Sequence, residues 1–180
     1  MGLNNHLMLD FETLGKNPDT AVLSLGAVLF NREKIIESKE WTFNLKEQLK
    51  AKRSVDADTL LWWMGQGADA QKVFRSACVD GQSVHAILPA FHSWVLPHKV
   101  KVWGCGASFD IPIIESLLQS LKLDPPWAFW DIRCYRTLKA MFDVEMGHNF
   151  KGTKHNALAD ATHQATVMQA YLQKNPTKDK

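Results

Sequence analysis

The stretch HLMLDFETLG, running from His6 to Gly15, restricts the possible folds more than any other part of the chain. Leu7, Leu9 and Phe11 alternate with Met8, Asp10 and Glu12, a two-residue period that selects a β-strand with one apolar face. The opposite face ends in two acids, and residues two apart on a strand lie about 6.5 Å from each other on the same side. Carboxylates so placed resist ionising together unless a proton or a cation is shared between them. On its own a D-x-E pair more often marks an exposed acidic edge, so a functional reading requires further acids brought to the same place.

Two more strand-like runs follow, AVLSLGAVLF (21–30) and KIIESKEWTF (34–43), joined by the tight connection NREK. Three such runs in sequence form an antiparallel meander. The period then changes from two to 3.6, with helices expected from Asp56, Ala68 and Ser83, each opened by capping residues. KVKVWG (99–104) reads as a buried strand that passes through CGAS into a helix carrying Ile111, Ile114, Leu118 and Leu121 on one face. WAFWDI and RCYRTLKAMF suggest a second strand-to-helix unit. A last helix is expected from about Ala157 to Gln173, with Leu158, Ala161, Ala165, Met168 and Leu172 inward.

These elements amount to one α/β domain over 1–173, a mixed sheet of three antiparallel strands extended by two parallel ones through helical crossovers. The tail KNPTKDK, 174–180, reads as disordered. A chain of 180 residues, 46% hydrophobic, can bury a substantial core. Its formal charge of +2 argues against wrapping a long duplex by phosphate neutralisation, so any nucleic-acid contact should be short and local. Cys78, Cys105 and Cys134 are odd in number and contain no C-x-x-C, which suggests neither a disulfide framework nor a cysteine zinc site. No basic leader precedes an apolar run, and no apolar segment is long enough to span a membrane. A soluble cytoplasmic protein without a membrane partner is the expectation.

In mixed sheets, sites form at the carboxyl ends of strands where connections diverge. Asp10 and Glu12 stand at the end of the first strand, and Asp110 at the helix start that follows Trp103, so the three can meet. Asp110 alone, followed by Pro112, would read as an N-cap, and Asp131 in FWDIRC is read as one. HNALADA (155–161) adds a histidine and a fourth acid. Five residues turn a helix about 140° beyond a full turn, so His155 and Asp160 cannot share a helical face. With Asn156 as cap, His155 stands on the entry loop and Asp160 is fixed on the helix near its positive end, on the second turn. Taken alone, His155 would read as one surface histidine among seven, following Lys151 and Lys154 in a basic loop.

DFET, SFD and HNALADA, in this order and at these separations, resemble the three motifs of the DEDDh family of 3′-5′ exonucleases, which have a ribonuclease H-like fold. The last motif fits H-x-A-x-x-D-A at every fixed position, and the resemblance spans Leu7 to about Leu172. VWGCGASFD and PPWAFWDIRCYRTL are similar to the small stand-alone exonucleases of phages and prophages, which would place the protein in a bacterial host's cytoplasm. Thr13-Leu14 stands where Thr-Thr is frequent, and Cys105 and Gly106 where an Asn is often found. Both departures touch substrate contacts rather than metal ligands.

The resemblance implies that Asp10, Glu12, Asp110 and Asp160 hold two divalent cations, Mg²⁺ or Mn²⁺, with Asp10 bridging. Oxygen-only ligation suits such hard ions. It implies in-line hydrolysis of phosphodiester bonds at the 3′ ends of single-stranded DNA or RNA, releasing nucleoside 5′-monophosphates, with His155 as general base. DNA is slightly favoured, and homodimerisation is left open. For the terminal nucleotide, Thr13, Leu14, Phe109 and the pair Trp62-Trp63 are candidate contacts, with Lys154 for phosphate. Trp62 and Trp63 splay about 100° apart on a helix, so one of them should be buried. Two other classes share parts of this pattern: a ribonuclease H-type endonuclease, which lacks the histidine spacing, and a catalytically silent nucleic-acid-binding module.

Overall fold

A computed structural model describes residues 5–142, 150 and 155–175. Its sheet begins with β1 (His6–Thr13), β2 (Val22–Phe30) and β3 (Ile35–Thr42), the antiparallel meander expected from three strand-like runs in succession. β4 (Lys101–Gly104) and β5 (Ile132–Cys134) add in parallel on the other side of β1, giving the order β3-β2-β1-β4-β5. This is the mixed five-stranded sheet of a ribonuclease H-like fold, with β1 at its centre.

Between β3 and β4 lie α1 (Leu45–Lys50), α2 (Ala57–Met64), α3 (Ala68–Val79) and α4 (Val84–Val95). Asp56 and Ser83 cap α2 and α4 through their side chains, as their positions suggest. α5 (Ala107–Ser120) joins β4 to β5, and α6 (Tyr135–Phe142) and α7 (Ala157–Lys174) complete the chain. Lys174 therefore closes a helix rather than opening a tail, and 176–180 lie outside the described residues. No helix among the described residues is long and apolar enough to cross a membrane.

The strand period sorts the core into two layers. Leu7, Leu9 and Phe11 pack with Ile87, Phe91 and Ile114 from α4 and α5, while Met8 packs with Tyr135, Ala165 and Met168 from α6 and α7. A third cluster, containing Leu14, Leu23, Leu45, Trp63 and Ala77, anchors α1 to α3.

Three local expectations change. The fifth strand is Ile132–Cys134, starting where WAFWDI ends, because Phe129–Asp131 form a 3-10 turn. Asp131 closes that turn and caps no helix. Asp110 is not an N-cap either: Gly106 takes that place, with a left-handed φ of 103° that favours glycine, and Asp110 stands in the first turn of α5.

Candidate active site

Asp10 and Glu12 emerge on the α7 side of β1, level with Gly26 and Ser24 of β2. Gly26 explains how a helix can reach them: a Cβ there would lie 2.3 Å from the carbonyl group of Ala157 and 2.4 Å from the nitrogen of Leu158. The start of α7 thus lies backbone to backbone on β2, which sets Asp160 over the strand acids, in the first turn of α7 rather than the second. Carboxylate oxygens of Asp10, Glu12 and Asp160 lie within 4.8 Å of one another.

Asp110 arrives from the other flank of β1. A Cβ at Gly104 on β4 would lie 2.7 Å from Asp110 Oδ2, so a second glycine makes room for the fourth acid. Asp110 is buried, and its Oδ2 has no hydrogen-bond partner. Both close-approach glycines are thus on the neighbours of β1, Gly26 paired with Asp10 and Gly104 lying against the Asp110 carboxylate.

Four acids so close resist ionisation. Burial raises Asp10 well above the usual carboxylate range, with the charges of Asp110, Glu12 and Asp160 adding to it. Glu12 is pushed up to about 8 by burial and by Asp160 and Asp110. Asp110 is raised by burial against the opposing pull of the Phe11 backbone N–H and of Arg136. Asp160 is raised by burial, partly offset by His155 and His163. The donor set is all oxygen, one oxygen is orphaned, and the repulsion is of the kind a divalent cation relieves, so the residues fit such an ion.

Asn156 caps α7, its side chain accepting from the Ala159 N–H at 2.8 Å. His155 precedes it at φ 62°, outside the helix, and lies near enough to Asp160 for its charge and its backbone N–H to act on that carboxylate. Its imidazole meets the edge of Trp62 at 4.9 Å between centroids.

Of the four acids, Glu12 borders a cleft of about 510 Å³, lined also by Thr13, Lys16, Thr59, Trp62 and Phe109 among others. Trp62 is 44% exposed, whereas Trp63 is 2% exposed and donates its indole N–H to the Thr13 carbonyl at 2.9 Å. Thr13 is buried, with its hydroxyl donating to the Gly15 carbonyl at 2.7 Å. Leu14 is a correction: it is 2% exposed inside the third core cluster and has no face free for a base. Phe109 is half-buried at the cleft wall. Lys151 and Lys154 lie outside the described residues.

Sequence reasoning missed Gln164 and Arg136. Gln164, one turn beyond Asp160, donates from Nε2 to Asp10 Oδ1 at 3.0 Å, while its buried Oε1 has no partner. Its i+4 spacing from Asp160 was a usable signal. Arg136, on α6, acts on Asp110 across the sheet, and nothing in the local sequence announces that.

Against this geometry stand four likenesses. The model of a family described as the 3′-5′ exoribonuclease Rv2179c-like domain matches residues 5–172. The exodeoxyribonuclease of Enterobacteria phage T4 is 27% identical, over 72% of this chain and 68% of that protein. Among solved structures, the zinc-bound E. coli exonuclease I–single-stranded DNA complex superposes with a TM-score of 0.70 at 15% identity, covering 97% of this chain. This chain spans only 42% of that protein's length. The nuclease domain of 3′hExo, a DEDDh family member bound to rAMP, gives a TM-score of 0.63 at 16% identity, with 96% of this chain and 94% of that one covered.

Proposed function

Because the chain belongs to the family of 3′-5′ exoribonuclease Rv2179c-like domains, of DEDDh exonuclease type, we propose that its four acids serve metal-dependent removal of nucleotides from single-stranded 3′ ends. The observation that carries this reading is the meeting of Asp10, Glu12 and Asp160 around one point, with the orphaned Oδ2 of Asp110 beside them. These residues would hold two divalent cations, Mg²⁺ or Mn²⁺. Bound there, such ions neutralise charge on the phosphate and lower the pKa of an attacking water.

The remaining roles belong to the chain. His155, held outside α7 and free of its helical register, would accept the proton of the attacking water. Histidine suits the task because it is the side chain that exchanges protons near neutral pH. Gln164 would hold the Asp10 carboxylate in place. Trp62, exposed at the cleft mouth, would stack on the terminal base, with Phe109 opposite. The products would be nucleoside 5′-monophosphates, and the whole of 1–173 would act as one exonuclease domain.

DNA is the favoured polymer, supported by the likeness to the T4 exodeoxyribonuclease. The family's description as exoribonuclease supports RNA as the second reading. A gel of 5′-labelled DNA and RNA strands of matched sequence, with Mg²⁺ or Mn²⁺, tests both. A ladder receding from the 3′ end is expected, faster on DNA and absent in chelator. Internal cuts would favour an endonuclease, retardation without cleavage a silent binding module, and undiminished cleavage in chelator would defeat the metal reading.

A further inference from the structure

Arg136 is exposed at the start of α6, beyond β4 and β5, while the cleft that would take the terminal base lies on the Trp62 side of the acids. Its Nη2 donates to the Cys105 carbonyl at 2.8 Å. Its guanidinium lies against Gly106: a Cβ at that position would come within 3.2 Å of Cζ and Nη2 and 3.3 Å of Nη1. Bonds to the carbonyl and the thiol of Cys105, with one bare glycine beneath, therefore fix the fork without using all its donors.

The charge of that fork is not consumed locally. Among the described residues the ion pairs are Lys39–Glu37 and His85–Glu47, and neither involves Arg136. The cations whose fields oppose the raised acids are His155 and His163 at Asp160, and Arg136 at Asp110. Of these the arginine alone is charged at every working pH. A polyanionic strand crossing four carboxylates needs such a fixed positive group, and a planar fork of donors matches a phosphate better than an ammonium does.

We infer that Arg136 is a phosphate subsite, binding the phosphodiester immediately 5′ to the scissile one as the strand leaves the acids on the side away from the cleft. This rests on the exonuclease reading above and adds the direction in which the strand departs. Arg136 touches substrate in this account; if it merely tied α6 to α5, its loss would weaken all substrates alike.

The test compares a dinucleotide with one internal phosphate and a trinucleotide with two, neither carrying terminal phosphates. In the parent, the second phosphate should raise kcat/KM. In Arg136→Gln the trinucleotide-to-dinucleotide ratio should fall roughly tenfold, the worth of one charge-assisted hydrogen bond, and Arg136→Lys should fall between the two. The salt dependence of the trinucleotide's KM should become shallower by about 0.7 in log–log slope, the share of one neutralised phosphate on a single strand. A ratio equal to the parent's in both variants, including equal losses on both substrates, overturns the subsite while leaving the exonuclease reading intact. A parent that cleaves neither substrate overturns both. Should Arg136→Gln fail to fold, Arg136→Lys alone decides by the same ratio.

Discussion

On one wall of the cleft, Asp10 and Glu12 ride on the central strand, and Gly26 and Gly104 let α7 and Asp110 close in from both sides. On the facing wall stands α2, eight residues long, with Leu61, Trp62 and Met64 exposed and Trp63 as its buried anchor, bonded to the Thr13 carbonyl. The acids are thus set by sheet register and backbone contact, the aromatic wall by the packing of Trp63 and Leu60 and by bonds from Trp63 and Asp56 to the end of β1 and the residue after it. Groups that must converge within a few ångströms are built into the core, whereas a surface that takes any base needs only a flat, adaptable face.

Substitutions on each wall should separate the two designs. The largest effect is expected at Asp10: Asp10→Asn should lower turnover by more than about 10³-fold, since it disables the charge stabilisation a bound cation supplies. Melting in chelator should stay level or rise, because a repelling charge is removed from a crowded site. A marked drop in melting temperature would make Asp10 a structural residue. Next, His155→Ala should slow the reaction by roughly 10²–10⁴-fold and show no rescue by added metal. Asp160→Ala should be partly rescued, because removing a ligand weakens ion binding itself. Equal rescue in metal titrations of both would refute the division between base and ligand.

On the aromatic wall the effects should be smaller and should fall on KM. Trp62→Ala should raise it roughly tenfold, within the 1–3 kcal/mol worth of base stacking, with Trp62→Phe close to the parent and melting hardly changed. A large loss of stability at Trp62 would show that this wall is as tightly built as the other. The smallest effect is a slope. Glu12 is raised from 4.5 to about 8, so the fold favours its neutral form. The resulting stabilisation is fully present below about pH 4.5 and is lost as pH rises through about 8. Melting in chelator should therefore fall as pH rises across that window. Saturating Mn²⁺ should flatten the slope.

The contrast also marks what could be read from the residues alone. Alternation in HLMLDFET put both acids on one face of a strand, and Asn156 in HNALADA separated His155 from Asp160, because both are short-range geometry. The next three strands emerged as strand-like runs rather than from alternation, and β2 is in fact buried along its whole length. α1 escaped notice because its six residues, capped by Asn44, are shorter than the span over which a helical period declares itself. The three-residue β5 was displaced for the same reason, its aromatic forerunner having coiled into a turn. Leu14 looked like a stacking residue because nothing local reveals that α1 to α3 cover it. Asp110 alone could have passed for a cap, since the left-handed glycine that takes that position lies four residues earlier; only the other acids made it a ligand candidate.

Gln164 and Asp10 are 154 positions apart in the chain and meet in one hydrogen bond. Because translation runs from the amino end, the first acids leave the ribosome long before the helix that carries Asp160 and Gln164. A nascent chain lacking α7 holds Asp10 and Glu12 without the acid, the histidine or the amide that complete the site. Release of α7 is thus also the first moment at which all four acids can meet.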